Sequence, residues 1–291
     1  MLTLLFQAVV SGILLGIIYG VIGIGMNMIY GVMRVVNFAH GEFMMLAAYL
    51  CFTIGQVYGL NPLFSVWVIM PCFFVVGFVL YYLLVPRLLE SEDPEMASFL
   101  TFVGVSLILT AALLFIWGAD PRSIPFPFKR VSVFVGDLFF PLGRLISAAF
   151  CGVSIVALVV FLYRTYTGKA IRAIIQNRDA VAILGIDANR LSALCFGIGL
   201  LLVALAGSLV ILSFPAITPV MGPSYTLVAF VIIVLGGLGS PQGALVGGIA
   251  FGLAENVAAV FVSAALAPVI AFLILIVMIF WRPQGLLGQS R

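Results

Sequence analysis

Residues 191–254 read LSALCFGIGLLLVALAGSLVILSFPAITPVMGPSYTLVAFVIIVLGGLGSPQGALVGGIAFGLA, without one Asp, Glu, Lys or Arg. A helix crosses hydrocarbon on about 20 apolar residues, so this stretch must hold more than one crossing. Its breaks are Pro215, Pro219 and Pro223, and then Gly236–Gly243, because Pro and Gly are the residues that punctuate helices. Working outward, nothing is charged before Arg34, and no charge stands between Glu42 and Arg87, a run divided by Gly59-Leu60-Asn61-Pro62. Further apolar runs cover Met96–Gly118, Leu145–Tyr163 and Asn256–Trp281, the last containing Pro268. Runs this long do not fit the alternating strands of about 10 residues that build a membrane barrel. The reading is an all-α polytopic membrane protein with about nine helices, in a range of roughly 8–10 transmembrane helices. They form a single transmembrane domain over residues 1–291.

Composition agrees. The chain is 64% hydrophobic and 8% charged, with a mean hydropathy of +1.32, whereas soluble domains carry about 25% charged residues. Thirteen basic and ten acidic side chains cannot cover a water-facing surface of this size, which excludes a soluble enzyme and a nucleic-acid binder. The run from Leu4 is too long for a signal-peptide core and lacks a basic flank, so it is expected to stay as a span. Cys51, Cys72, Cys151 and Cys195 are scattered through apolar runs and read as small buried hydrophobes.

Lys and Arg collect in cytoplasmic loops. Residues 164–190 carry Arg164, Lys169, Arg172, Arg178 and Arg190 against Asp179 and Asp187, so this segment is expected in the cytoplasm. The Pro-rich loop 120–144, with Pro121, Pro125, Pro127 and Pro141, then lies outside. A count of nine helices puts the N-terminus outside as well.

Motifs for chemistry are missing. There is no phosphate loop, no nucleophile elbow, no H-E-x-x-H and a single histidine, so neither a metal site nor a Cys–His pair can be assembled. Three other signals remain. Gly12, Gly16 and Gly20, and again Gly239, Gly243 and Gly247, recur every four residues and form ridges for close helix packing, within the protein or against another subunit. Asn37, His40 and Glu42 sit between two apolar runs, and Glu255-Asn256 interrupts another. Charges at membrane depth are costly and face cavities or one another. Two readings fit them: a polar translocation path, or structural anchors, with Glu42 suiting the first turn of a helix. In 168–186, Ile171, Ile174, Ile175, Ala182 and Ile183 fall at helical spacing among charges, a short amphipathic helix that lies on headgroups or docks into a partner.

Asn37–Glu42, Gly168–Ile186, Gly236–Ala244 and Arg282–Leu286, in this order, resemble the permease subunits of bacterial ABC importers for branched-chain amino acids, the LivH type. The likeness runs from Leu4 to Gly288. It implies a permease fold with broken helices and a cytoplasmic coupling helix, in the inner membrane. It also implies a second, related permease subunit, two cytoplasmic ATPase subunits and a periplasmic binding protein as partners. ATP and Mg would bind those ATPase subunits, with no cofactor in this chain. By the same resemblance Lys169, Arg172, Asn177, Arg178 and Asp179 contact an ATPase, with Ile174, Ile175 and Leu184 as apolar anchors. Gly236–Gly243 becomes a tight break near the cytoplasm, with Pro241 stopping a helix. Importers of urea and short-chain amides are similar too. Outside that family, an ion-coupled secondary transporter would have to draw on Glu42, His40 and Glu255, and a passive channel would need no ATP.

Overall fold

The computed structural model describes residues 1–123, 131–136, 138–178, 181, 185–263, 266–282 and 284–287. Among these, ten α-helices follow one another: α1 (Leu2–Met33), α2 (His40–Tyr58), α3 (Pro62–Leu89), α4 (Pro94–Trp117), α5 (Leu142–Arg164), α6 (Tyr166–Gln176), α7 (Ala188–Ser213), α8 (Gly222–Gly236), α9 (Pro241–Phe261) and α10 (Ala267–Trp281). An antiparallel hairpin of β1 (Ser132–Val135) and β2 (Leu138–Pro141) precedes α5, with Ser132 opposite Pro141.

Helix starts follow from local chemistry. Asn61, Asp93 and Ser240 cap α3, α4 and α9 by accepting from Leu63, Met96 and Gly243 amides, and Pro62, Pro94 and Pro241 follow them at once. A side-chain acceptor satisfies one orphan amide and Pro has none to lose. Pro241 therefore begins a helix instead of stopping one. α8 has already ended at Gly236. The run Asn256–Trp281 is likewise two pieces, because α9 ends at Phe261 and Pro268 sits in the first turn of α10.

Among the described residues, seven helical stretches are long and apolar enough to cross a membrane. The most apolar windows of α1 and α7 are 72% and 83% buried and those of α3 and α4 28% and 17%, so the first pair forms the core and the second faces lipid. Cys72 of α3 is exposed, unlike Cys51, Cys151 and Cys195.

Contacts at the helix ends give the direction of each pass. α6, the 237–241 turn and Leu287 line one recess, and Leu286 and Leu287 amides donate to Leu235 and Gly236 carbonyls. This basic face carries the ends of α5, α8 and α10. At the opposite face the Gln7 side chain clamps Phe139 of β2, donating to its carbonyl and accepting from its amide at 3.2 Å. The N-terminus therefore lies opposite α6. From α7 on, the four helices α7–α10 alternate in direction and return the C-terminus to the side of α6.

The bundle is built twice. α1 packs along α9 and α7 along α3, while α2 lies against α8. The units α1–α4 and α7–α10 run in the same order with opposite direction. In each, the second helix starts inside the bundle. α1 ends at Arg34, left-handed at φ 54°, and the chain turns back inward to start α2 at His40. After α7, residues 214–221 turn inward from the other face and start α8 at Gly222. Irregular backbone at membrane depth is tolerated only where protein satisfies it. Here Val36 donates to Ser98 Oγ at 3.2 Å, Ala39 to Asn37 Oδ1 at 3.1 Å, and Ile217 exchanges two 2.9 Å bonds with Arg122.

Candidate functional site

The tips of the two half-helices meet. The Gly41 amide donates to Thr226 Oγ1 at 2.8 Å, and a Cβ on Gly41 would overlap the Gly222 carbonyl oxygen and the Thr226 amide. Glu42, in the first turn of α2, is fully buried beside them. Ser106 of α4 donates to its Oε1 at 2.6 Å and Thr226 to its Oε2 at 3.3 Å. The amino ends of two helices carry partial positive charge, and this carboxylate sits between them. His40 Nε2 lies 3.0 Å from the Ile22 carbonyl, and Asn37 and His40 are buried. Thus Asn37, His40 and Glu42 all lie buried in the protein interior, each with hydrogen-bond partners of its own.

Glu255 and Asn256 stand apart from them. Asn256 bonds its own helix, donating to Gly252 O at 3.0 Å. Glu255 is half-buried, with Tyr19 of α1 beside it and Arg144 of α5 and Tyr225 of α8 within electrostatic reach.

At the basic face, α6 is capped by Thr165 and turns Ile171 and Ile174 into the bundle. Ile174 is therefore core and not a free anchor. Arg172 stacks over the Tyr163 ring at 4.2 Å and donates to Leu162 O at 3.2 Å. Arg178 reaches Tyr81. Lys169, Gln176 and Asn177 are exposed, and Ile175 borders a cavity of about 480 Å³ with Tyr163, Arg172, Leu238 and Pro241. Asp179 and Leu184 lie outside the described residues, as do 124–130 of the Pro-rich loop.

The glycine ridges pack inside the chain. A methyl on Gly12 would come 2.8 Å from Gly252 O and one on Gly16 2.6 Å from Ile249 Cα, and Gly20 faces Leu245. Gly243 and Gly247 meet α8 at Gly236 and Ile232. Gly239 does not continue that ridge. It lies before α9 at φ +80°, in a turn held by Asn27 of α1, whose side chain donates to Ser240 O at 2.8 Å and Gly237 O at 3.2 Å and accepts from Gly239 N at 2.6 Å. Asn27, Ser106 and Thr226 were missed by the sequence reading. A lone Asn inside a 32-residue uncharged helix was the available signal, since an amide at that depth needs partners.

With this geometry in view, residues 8–280 match the family described as "branched-chain amino acid transport system / permease component". The chain belongs to this family. Among curated relatives it is 28% identical to the "high-affinity branched-chain amino acid transport system permease protein LivH" of Escherichia coli strain K12, over 97% of this chain and 95% of that protein. It is 29% identical to the corresponding BraD of Pseudomonas aeruginosa, again over 97% and 95%. To LivM of E. coli K12 it is 26% identical over 95% of this chain and 69% of that protein. No solved structure matches it. The protein is thus a transport permease, multi-pass in the inner membrane, and not an enzyme. Its matches to both LivH and LivM, two related permeases, point to a second permease as its partner.

Proposed function

We propose that this permease forms one half of the path of an ATP-driven importer for branched-chain or other hydrophobic amino acids. A second, related permease supplies the other half. Two cytoplasmic ATPase subunits carry ATP and Mg, and a periplasmic binding protein delivers the solute. The observation that carries this reading is the filled midplane. Where a transporter with half-helices holds its substrate between their tips, this chain places its own Glu42, with both oxygens bonded. A solute route through the single chain is closed there, so the path runs along its surface, against a partner. The same filling speaks against ion coupling at Glu42.

The Lys/Arg bias puts α6 in the cytoplasm. There the exposed Lys169, Gln176 and Asn177 are the side chains offered to an ATPase, while Arg172 and Ile174 tie α6 to α5 and the core. A push on α6 therefore moves the end of α5 with it, which is the mechanical link the ATPase cycle needs to bias one packing against another. Urea and short-chain amides are the competing solutes. The test is co-purification of the tagged chain from its native membrane, followed by uptake in proteoliposomes. Two ATPase chains and a second permease arriving with it, and leucine uptake on ATP addition, are expected. A chain that purifies alone overturns the reading.

A further inference from the structure

The recess beside α6, about 480 Å³, falls within the range of roughly 300–1,000 Å³ that small-molecule sites occupy. Part of its lining is aliphatic, with Val159 and Leu162 of α5, Ile175 of α6 and Leu238. The rest is polar, and there Arg172 is the one charged residue, with no Asp or Glu in the lining. Arg172 is held in position by α5. Its Nε donates to Leu162 O at 3.2 Å, and its guanidinium carbon lies 4.2 Å from the centre of the Tyr163 ring. The Tyr163 hydroxyl accepts from Gln242 at 3.1 Å and so links α5 to the first turn of α9. That amino end adds partial positive charge. The recess also continues into the span. α5 and α9 both pack on α1 but not closely on each other. Helical spacing carries the recess face of α5 from Tyr163 and Val159 to Val156 and Gly152, and that of α9 from Gln242 to Val246. Val156 is 62% and Val246 40% exposed, and a Cβ on Gly152 would meet nothing within 4 Å.

A small aliphatic track in the span thus leads down to a cation that has no counter-charge in its lining. The track lies in hydrocarbon, so a lipid tail fills it, and the head of that same lipid arrives at Arg172. An acidic side chain of a soluble subunit, or free phosphate, would match the cation and make no use of the track. We infer that the recess holds the headgroup of an anionic phospholipid, its phosphate on the Arg172 guanidinium and one acyl chain along Val156 and Gly152. The planar fork of Arg suits a phosphate, and basic pockets between helices at the cytoplasmic side suit anionic headgroups. Seated there, the lipid joins α5, α6 and the start of α9, so bilayer composition sets how firmly α6 is held. The site is independent of which solute the importer carries.

The experiment uses the complex as purified from its membrane, placed in nanodiscs that mix phosphatidylcholine with dioleoylphosphatidylglycerol. Lipid retained per complex is counted by native mass spectrometry, and hydrogen exchange of α6 is followed alongside. Wild type is expected to retain phosphatidylglycerol in preference to phosphatidylcholine. Arg172→Gln should lose about fivefold or more of that preference, the effect of one basic residue at a charged membrane surface, while Arg172→Lys keeps part of it. Because Arg172→Gln also gives up the bond to Leu162, a second variant tests the track alone. Gly152→Leu places its side chain in open space and should lower retention without changing α6 exchange in pure phosphatidylcholine. Equal retention of the two lipids, or unchanged retention in both variants, overturns the inference. Complete displacement by inorganic phosphate overturns it in favour of a free-anion site. Lipid held only after the ATPases are stripped away assigns the recess to an ATPase side chain, and a Gly152→Leu chain that no longer assembles assigns the track to the second permease; either result overturns it too.

Discussion

Glu42 and Glu255 are both carboxylates in apolar helices, and they have opposite fates. Glu42 sits where two half-helices begin, each oxygen accepts a hydroxyl, and solvent is excluded. Glu255 keeps an oxygen without a partner and faces an arginine that does not close on it. A satisfied buried polar group rigidifies its surroundings, while an unsatisfied one costs free energy that the fold tolerates for another reason. The first glutamate is therefore a keystone between the two antiparallel units, and the second is a less completely bonded group beside Tyr19 and Arg144.

The sharpest way to break this contrast is at the keystone. Gly41→Ala puts a methyl into the Gly222 carbonyl, which backbone cannot yield to. The variant is expected to give no monodisperse protein in detergent by size-exclusion chromatography. Next in size is Glu42→Ala, which leaves Ser106 and Thr226 without their shared acceptor and should cost about 3 kcal/mol of stability. Glu255→Gln should stay within about 1 kcal/mol of wild type, and thermal unfolding of the two variants side by side reads the difference. If both fall equally, Glu255 is a structural anchor and the contrast disappears. Asn27→Ala removes three bonds to the 237–240 turn and should cost about 2 kcal/mol, with uptake slowed because the turn borders the recess beside α6. The smallest effect belongs to Gln7→Ala. Freeing the Phe139 clamp should cost about 1 kcal/mol or less and appear as faster hydrogen exchange of the Phe139 amide.

Much of the helical plan was legible because charge and Pro/Gly punctuation mark ends directly. The division at Gly59–Pro62, the breaks at Pro215–Pro223 and Gly236–Gly243, and the amphipathic α6 could all be read along the chain. The antiparallel repeat could not. It lies in which helices neighbour one another, and the Gly-Ile-Gly runs at 23–25 of α1 and 197–199 of α7 are too short to align the two. The inward starts of α2 and α8 escaped for a related reason. Asn37–Glu42 looks the same on paper whether it turns at the interface or in the core, and only Thr226, 184 positions later, decides. Pro241 was read with the wrong sign because Pro both ends one helix and opens the next, and the Ser240 cap was the clue to which. The electrostatic neighbourhood of Glu255 joins the first turn of α5 to a distant helix, and periodicity carries no information about such pairs.

The distance in sequence between Glu42 and Thr226 also bears on how the protein is made. Helices leave the insertion machinery in the order of synthesis, and hydrocarbon offers no partner to a carboxylate or to bent backbone. When α2 is complete, neither Ser106 nor Thr226 has yet been synthesised. The first half must therefore wait, with its polar turn still sheltered by water or by the machinery, until α8 emerges from the ribosome. Insertion and folding of this chain are separate events, and the second closes only after α8, in the last third of the polypeptide, has entered the membrane.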